Sequence, residues 1–497
     1  MAADSQSAIR IPQSAFFDVA IIGAGVVGCA IARELARYRT NCILIEAASD
    51  VGTGTSKANT AVLHTGFDVK VGSVEARLVR RGYELLRAYG PATGIPIEPL
   101  GALLVAWDAE QLAALPSIAV NAAGNGYTAT RQMPAGELYR QEPHLGPGAL
   151  GALEVPGESI ICPFTTPLAF ATQAVANGVS LALDTPVQSV RVEEGVHVLG
   201  TPRGELRARC LVNAAGLYAD AIDGQLGHHN FMVTPRRGEL LVFDKLARPL
   251  VNHILLPVPT KVTKGVLVSP TVFGNVVLGP TAEDIADKTA TGSTAAGISA
   301  LYERGKRILP ELMAEEVTAL YAGLRAATEH SDYQIRFYPA QRYVCVGGIR
   351  STGLSASMAI AEYVVEGLAD AGLALHPKDD FRAVHMPNIG EAFLRPYQSN
   401  EAIAANPDYG CIVCHCERVT RGEILDATRA AIPARTLDGV RRRTRALFGR
   451  CQGFFCAAAV THLVAEATGQ PVTSLLGLDG APTNGASIMG SLSLLGE

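Results

Sequence analysis

The stretch from Asp18 to Glu46 limits the possible folds more than any other part of this chain. An apolar run of strand length leads directly into Gly23-Ala24-Gly25-Val26-Val27-Gly28, which opens a helical pattern reaching about Tyr38. A second apolar run then ends on Glu46. Strand, G-x-G-x-x-G turn, helix, strand and acid, in this order, form the dinucleotide-binding fingerprint of a Rossmann-type sheet.

Each glycine of this turn is needed for a different steric reason. Gly23 allows the tight turn, Gly25 lets the backbone approach a pyrophosphate, and Gly28 lets the helix pack closely on the strand. The helix N-terminus offers free N–H groups to phosphate, and Glu46 can accept a hydrogen bond from a ribose hydroxyl. We therefore expect a bound dinucleotide, while the turn alone leaves FAD and NAD as alternatives.

Composition sets the wider limits. A chain of 497 residues is long enough for two or three domains, and a net charge of −5 gives no indication of nucleic-acid binding. No apolar run reaches the roughly 20 residues needed to span a bilayer, and residues 1–13 lack the layout of a signal peptide. We expect a cytoplasmic protein, with peripheral membrane association through a partner as a further option.

The segment from Gly52 to Gly66 is rich in small and hydroxyl-bearing residues, including Thr55, Ser56 and Asn59. Such residues let the backbone lie against a flat ring system, so we expect these three to contact the cofactor. The following Val62-Leu63-His64 predicts a short strand that carries a histidine into the site.

This segment resembles the S-x-x-N-S-G-(I/V)-(I/V)-H-A-G motif of a flavoprotein family. The family includes glycerol-3-phosphate dehydrogenases and oxidases, L-2-hydroxyglutarate oxidases and D-amino-acid-oxidase-like enzymes. The resemblance implies that Asn59 and His64 lie beside the isoalloxazine ring and that His64 assists removal of a substrate hydroxyl proton. Thr60 and Ala61 depart from the family's Ser and Gly. The alternative for His64 is a structural histidine.

Two later segments support the same family. Asn213-Ala214-Ala215-Gly216-Leu217-Tyr218-Ala219-Asp220 is similar to the family's N-A-A-G-x-x-A-D, which flanks FAD, and Ala215 and Gly216 allow the close approach. A strand, a glycine-rich turn and a helix follow between Tyr343 and about Leu368. The resemblance there implies cofactor contacts from Gly348, Ser351, Gly353 and Leu354. The departures from the family in that turn are Arg350, Thr352 and Met358.

The late return of the chain decides between the two dinucleotides. A helix beginning near Gly353 would point its N-terminus at the pyrimidine end of a flavin, where negative charge develops on reduction. A nicotinamide-binding domain gives no reason for such a return. FAD is therefore the expected cofactor.

Two basic residues are candidates for holding an anionic substrate. Arg325 ends a G-x-R similar to the family's anion-binding arginine, and its guanidinium can form two parallel bonds to phosphate or carboxylate. A structural ion pair is its alternative. The resemblance also carries the family's active-site lysine to Lys264, for which a solvated turn lysine is the alternative.

Five of the ten cysteines lie between Cys411 and Cys456. A C-x-C and a C-x4-C supply four thiolates from two loops, and this soft donor set suits Zn²⁺ or an iron–sulfur cluster. The spacing resembles the bacterioferritin-associated-ferredoxin-like [2Fe-2S] domain. The resemblance implies that Cys411 is a spare and that a [2Fe-2S] cluster is bound by Cys414, Cys416, Cys451 and Cys456.

Five arginines accompany the second cysteine pair. They could offset the negative charge of a cluster, dock an acidic partner or lie on a solvated helix face. These residues are Arg441, Arg442, Arg443, Arg445 and Arg450.

The expected fold class is α/β, with a Rossmann-like FAD-binding domain, an antiparallel-sheet substrate (cap) domain and a small helical C-terminal [2Fe-2S] domain. We assign the FAD-binding domain to residues 16–90, 148–230 and 321–375, and the cap to 91–147 and 231–320. A proline-containing linker covers 376–406, the [2Fe-2S] domain 407–478 and a Gly/Ser/Ala-rich tail 479–497.

The resemblance implies an FAD-dependent dehydrogenase of a small anionic hydroxy compound, with sn-glycerol 3-phosphate as the first choice. Electrons would pass through the cluster to an acceptor protein or a quinone-linked subunit, and we expect an oligomer. L-2-hydroxyglutarate, another hydroxy acid or an amino acid such as proline is the alternative substrate. A non-catalytic FAD and iron–sulfur relay subunit is the alternative of another class.

Overall fold

The computed structural model describes residues 16–259 and 265–477. The expected roles of Lys264 and of the tail at 479–497 lie outside these residues. In the described part of the chain the strands are β1 (Phe16–Ile22), β2 (Cys42–Ile45), β3 (Val62–Leu63), β4 (Ile97–Glu98), β5 (Ala102–Ala106), β6 (Arg131–Pro134), β7 (Gly151–Val155), β8 (Ser159–Ile161), β9 (Ser180–Ala182), β10 (Ser189–Glu193), β11 (Val196–Thr201), β12 (Gly204–Asn213), β13 (Thr234–Phe243), β14 (Ile254–Pro257), β15 (Leu267–Pro270), β16 (Val276–Gly279), β17 (Glu283–Asp284), β18 (Val317–Ala327), β19 (Gln334–Tyr338), β20 (Tyr343–Gly347), β21 (Ile412–Cys414) and β22 (Val419–Thr420).

The helices of the same residues connect and cover these strands. They are α1 (Val26–Leu35), α2 (Val74–Thr93), α3 (Ala109–Gly124), α4 (Ala135–Gln141), α5 (Thr165–Ala176), α6 (Ala219–Gln225), α7 (Ala295–Ile308), α8 (Gly353–Asp370), α9 (Asn400–Ala405), α10 (Arg421–Arg429), α11 (Leu437–Thr444), α12 (Ala457–Thr468) and α13 (Val472–Leu476). No helix among them is both long and apolar enough to cross a lipid bilayer.

The first sheet has a parallel centre. Strand β1 lies between β2 and β12, so that Val19 is opposite Cys42 on one side and Cys210 on the other. Strands β9 and β20 extend the parallel part, while β10, β11 and β19 pair antiparallel. The central strands are buried on both faces, which explains their continuous apolar runs.

Helices α1, α5 and α8 cover one face of this sheet, and α2 packs on α8. Their shared core joins sheet residues such as Ile21 and Leu44 to helix residues such as Ile31 and Ile360. Two apolar surfaces buried against each other supply the main stabilisation of such a layer. The Rossmann-type layer expected from residues 18–46 is therefore confirmed.

The second sheet forms the cap. Its order is β17-β13-β16-β15-β14-β5-β7-β6, with β18 on the other side of β13, and only β14 and β5 pair parallel. Strand β7 belongs here, so the chain leaves the cap after Val155 and not at residue 148. The other expected domain limits stay a prediction. The long β13–β18 ladder brings Arg236 opposite Arg325.

The C-terminal unit is small and mainly helical. A short hairpin pairs Ile412 with Thr420, and α10, α11 and α12 enclose a separate apolar core. Thr420 and Glu423 form a capping box at the start of α10. Together with the flavin layer and the antiparallel cap, this unit confirms the expected fold class.

Candidate functional site

The turn between β1 and α1 has no room for side chains. A Cβ atom on Gly23, whose φ is +99°, would lie 2.5 Å from the carbonyl oxygen of Ala214. A Cβ atom on Gly28 would lie 1.9 Å from the carbonyl oxygen of Gly23. The α1 N-terminus at Val26 begins at this bare backbone, so the cradle fits a dinucleotide phosphate.

Glu46 ends β2 beside the turn. Its carboxylate accepts hydrogen bonds from the Ala24 N–H at 2.7 Å and from the Ala48 N–H at 2.9 Å. Burial raises the pKa of Glu46 even though these N–H groups oppose the shift. The acid therefore holds the turn in shape, and a bond to a ribose hydroxyl stays a prediction.

The segment after Glu46 is tied to both neighbouring layers. Ser56 Oγ accepts from the Val26 N–H at 2.9 Å, and Thr55 Oγ1 donates to the Leu324 carbonyl oxygen at 2.8 Å. The Asn59 side chain donates to the Ser56 carbonyl and accepts from the Ala61 N–H, both at 2.8 Å. Asn59 thus shapes the loop, and Ala61 occupies a left-handed conformation with φ +56° where the family has Gly.

His64 is held by a buried carboxylate that the sequence did not reveal. His64 Nδ1 lies 3.0 Å from Glu158 Oε2, and the other oxygen of Glu158 accepts from the Thr65 N–H at 2.7 Å and its hydroxyl at 2.8 Å. The carboxyl group of Glu158 is fully buried. Because a carboxylate accepts hydrogen bonds, the contact with Glu158 favours the His64 tautomer that carries its proton on Nδ1.

The two later segments meet the same site. The Ala214 N–H donates to the Ile22 carbonyl at 2.9 Å, so that Ala215 and Gly216 lie in space beside the glycine turn. Ser355, in the first turn of α8, accepts from the His64 N–H through its Oγ at 2.8 Å. Helix α8 therefore starts next to His64, while its expected direction toward the pyrimidine end of the flavin stays a prediction. The individual cofactor contacts of Gly348, Ser351, Gly353 and Leu354 stay predictions.

Arg350 makes local contacts in this turn. Its Nη2 donates to the Ser331 carbonyl oxygen and lies 3.9 Å from Glu75 Oε2. Thr352 also donates to Glu75, at 2.6 Å, and is hydrogen-bonded to Tyr333. The departures Arg350 and Thr352 thus belong to one network beside the α2 N-terminus.

Arg325 is a partly buried cation next to the flavin-binding loop. Gly323, on the same face of β18, approaches the loop so closely that a Cβ atom would lie 2.0 Å from the Ala58 carbonyl oxygen. The guanidinium lies over Gly238, and burial lowers the pKa of Arg325 to about 10. Within the described residues it has no carboxylate at ion-pair distance, although the neighbouring Arg236 is paired with Asp284. Such a cation favours binding of an anion.

The four cysteines of the C-terminal unit converge in two pairs. The thiols of Cys414 and Cys456 face each other, as do those of Cys416 and Cys451. The hydrogen bond from Cys456 lowers the pKa of Cys414, which favours a thiolate ligand. Cys411 is exposed. The two pairs fit two iron ions, and no group of three or more ligands converges on one ion site among residues 16–259 and 265–477.

The second loop reaches the first because it carries glycine at the contact. A Cβ atom on Gly449 would lie 2.3 Å from Cys416 Cβ. A solvated helix face, the alternative for the basic residues, does not describe Arg442, Arg443 and Arg445, which are buried and pair with Asp50, Asp438 and Glu417. Burial against the rest of the protein also leaves these three side chains inaccessible to an acidic partner.

Comparison with known proteins agrees with this geometry. The family model of FAD dependent oxidoreductases matches residues 18–367, and that of the BFD-like [2Fe-2S] binding domain matches 412–466. FAD and a [2Fe-2S] cluster are thus the cofactors, and the NAD and zinc alternatives are set aside.

Individual relatives cover most of the chain. A glycerol 3-phosphate dehydrogenase of Caloramator mitchellensis is 36% identical over 92% of this chain and 96% of its own length. A mitochondrial L-2-hydroxyglutarate dehydrogenase of Arabidopsis thaliana is 27% identical over 70% of this chain and 82% of its own. The FAD-bound structure of L-alpha-glycerophosphate oxidase from Mycoplasma pneumoniae is 28% identical, covers 75% of this chain and 98% of its own, and has a TM-score of 0.71.

We predict that Gly28→Ala abolishes FAD binding, since its Cβ would collide with the Gly23 carbonyl oxygen. The control is Gly136→Ala, another helical glycine, whose Cβ would meet only Arg140 at 3.9 Å. Flavin absorbance per protein measures the effect. A Gly28→Ala protein with a full complement of FAD would contradict the assigned phosphate cradle.

Serine substitution at Cys414, Cys416, Cys451 or Cys456 is expected to remove the cluster, because an alcohol is a poor ligand for iron. Cys411→Ser is the matched control and should retain it, since Cys411 lies outside the two thiol pairs. Iron content and the visible spectrum of each purified protein measure the outcome. Cluster loss in Cys411→Ser would show that the ligand set is wrong.

Proposed function

We propose, from the premise that this chain belongs to the FAD dependent oxidoreductase family and carries a BFD-like [2Fe-2S] binding domain, that it oxidises sn-glycerol 3-phosphate to dihydroxyacetone phosphate. The observation that carries the proposal is the partly buried guanidinium of Arg325 beside the flavin-binding loop, whose pKa is lowered by desolvation and which has no carboxylate partner among the described residues. The similarity to a glycerol 3-phosphate dehydrogenase over 92% of the chain supports the choice of substrate.

Bound FAD would supply the acceptor for one hydride from the carbinol carbon, which carries both electrons of the oxidation. The residues of this chain bind and orient the substrate and move its proton. Arg325 binds the phosphate group, which fixes the carbinol end near His64. His64 Nε2 takes the hydroxyl proton, while Glu158 stabilises the positive charge that the ring acquires.

The proposed fate of the electrons follows from the second cofactor. A [2Fe-2S] cluster accepts one electron at a time, so the two electrons leave in two steps toward an acceptor protein or a quinone-linked subunit. An enzyme that reduced oxygen directly at the flavin would have no use for a cluster. We therefore propose a dehydrogenase and not an oxidase.

L-2-hydroxyglutarate is the second candidate substrate. The Arabidopsis relative favours it, and a guanidinium binds carboxylate as well as phosphate. The two substrates differ in the anionic group offered to Arg325, which is a phosphate in one and a carboxylate in the other. Both compounds should therefore be tested side by side.

The first experiment is an anaerobic visible spectrum before and after addition of sn-glycerol 3-phosphate, with L-2-hydroxyglutarate and proline in parallel. We expect glycerol 3-phosphate to bleach the flavin band and part of the iron–sulfur absorbance. Bleaching by L-2-hydroxyglutarate or proline alone would identify that compound as the substrate in place of glycerol 3-phosphate. Bleaching by none of them, with reduction by a purified redox partner, would establish the relay function instead.

Arg325→Lys keeps the positive charge but loses the bidentate contact between guanidinium and substrate anion. We expect kcat/KM to fall about 10- to 100-fold, mainly through a higher KM. The control is Arg131→Gln, which removes an exposed cap arginine paired with Glu137 and Glu154. Steady-state kinetics with an artificial electron acceptor measure both. An unchanged KM in Arg325→Lys would remove this residue from the anion site.

Glu158→Gln should lower kcat about 100-fold with little change in KM, because an amide neither fixes the His64 tautomer nor balances its charge. Glu154→Gln, four residues earlier on β7 and partly exposed, is the control. Partial recovery in Glu158→Asp would separate loss of the charge from loss of folding. A fall in kcat that Glu154→Gln reproduces would argue against a specific role for Glu158.

A further inference from the structure

A buried ion cluster joins the C-terminal unit to the flavin-binding layer. Asp50, four residues after Glu46, is 4% exposed. Its Oδ2 accepts from Arg442 Nη2 and Arg443 Nη1, each at 2.6 Å, and its Oδ1 accepts from Arg443 Nη2 at 2.8 Å. Both arginines lie on α11, so one carboxylate binds this helix through two guanidiniums.

The charges of this cluster are mutually compensated. Burial alone would raise the pKa of Asp50, but Arg443 and Arg442 outweigh it and hold the pKa below its usual range. Arg442 also pairs with Asp438 one turn earlier on α11, and Lys57 lies 3.5 Å from the same carboxylate. Two acids therefore offset two of the three positive charges, and removal of one acid leaves buried guanidiniums without sufficient counter-charge.

An aromatic contact lies next to the ion cluster. The ring of Phe448 stacks on that of Phe164 with centroids 5.8 Å apart, and Phe164 stacks on Phe273 at 5.6 Å. The guanidinium of Arg445 lies 4.2 Å from the Phe273 ring and 4.9 Å from the Phe448 ring. Phe164 belongs to the flavin-binding layer, Phe273 to the cap and Phe448 to the C-terminal unit, so all three units meet here.

The junction lies between the two cofactor sites along the chain and in space. On one side, the Gly52 N–H donates to the Ala24 carbonyl at 2.9 Å, so the Asp50 loop is bonded to the dinucleotide turn. On the other side, α11 ends at Thr444, and the following residues lead through Phe448 to the ligand Cys451. Helix α11 thus connects the flavin-binding loop directly to the cluster-binding loop.

We propose that Asp50 is a positioning residue for electron transfer between the two cofactors. It holds α11 on the flavin-binding loop, so that the [2Fe-2S] unit works docked in one fixed place and does not swing between a flavin position and an acceptor position. This inference rests on the proposed dehydrogenase function only for the source of the electrons.

The electron count is consistent with a fixed junction. Oxidation of one hydroxyl to a carbonyl releases two electrons and two protons from the substrate. A bound [2Fe-2S] cluster would accept one electron at a time, so the junction would serve two successive transfers in each turnover. The protons leave through His64 and solvent. A docked unit needs no domain movement between the two transfers.

Hydrogen exchange tests the docking without any substrate. In the FAD- and cluster-containing protein, we expect Asp50→Asn to accelerate exchange of the α11 amides by about 100-fold, because one partner of a buried ion cluster has lost its charge. Arg81→Gln is the matched control, since it removes an exposed two-pronged pair with Glu362 far from the junction. Unchanged protection of α11 in Asp50→Asn would overturn the proposal.

Anaerobic stopped-flow spectroscopy tests the consequence for electron transfer. In Asp50→Asn, we expect the flavin to bleach at the normal rate and the cluster to be reduced about tenfold more slowly or slower still. The reason is that electron transfer from flavin to cluster depends on docking, whereas flavin reduction by substrate does not. Equal slowing in Arg81→Gln, or normal cluster reduction in Asp50→Asn, would contradict the assignment.

The unmodified protein provides a further test, which can be carried out even if the Asp50→Asn variant fails to fold. If the unit is docked, the rate of cluster reduction stays constant when sucrose raises the solvent viscosity. A rate that falls in proportion to viscosity would show a swinging domain and overturn the proposal. If glycerol 3-phosphate does not reduce the flavin, the proposed substrate fails while the exchange measurement still decides the docking.

Discussion

The whole structure depends on one backbone junction at the glycine turn after β1. The Gly23 N–H donates to the Ile45 carbonyl at 2.8 Å, the Gly52 N–H to the Ala24 carbonyl at 2.9 Å, and the Ala214 N–H to the Ile22 carbonyl at 2.9 Å. Three chain segments distant in sequence therefore share one turn that has no space for a Cβ atom at Gly23 or Gly28. This arrangement leaves bare backbone for the dinucleotide and fixes the neighbours of the flavin at the same time.

Buried charges complete the site that this junction begins. Glu158 is paired with His64, Asp50 with two arginines of α11, and Arg325 is left without a carboxylate partner in the described part of the chain. Because an unbalanced buried charge is costly, each pairing specifies one arrangement of its two elements. The unbalanced cation stands where an anionic substrate would supply the missing charge. The balanced clusters stand where the protein has to remain rigid.

Prediction from the sequence succeeded where the pattern was local. The glycine turn, the Glu46 that ends β2 and the two cysteine pairs each lie within a few residues, and backbone sterics or ligand chemistry fixes their meaning. Glu158 was missed because it is 94 residues from His64 and has no motif of its own. The ion pairs of the α11 arginines could not be predicted, because charge alone does not show that Asp50, 392 residues from Arg442, would be buried with them.

The sequence by itself determined the fold class and the two cofactors, because these follow from short-range spacing and from residue types with few other uses; the individual cluster ligands stay a prediction. Only the tertiary structure decided which carboxylate orients His64, that Arg325 contacts the Thr281 carbonyl and no carboxylate among the described residues, and how the iron–sulfur unit is attached. Those outcomes depend on burial and on contacts between distant segments. Whether a charge is paired is a property of the packed molecule, and no local pattern encodes it.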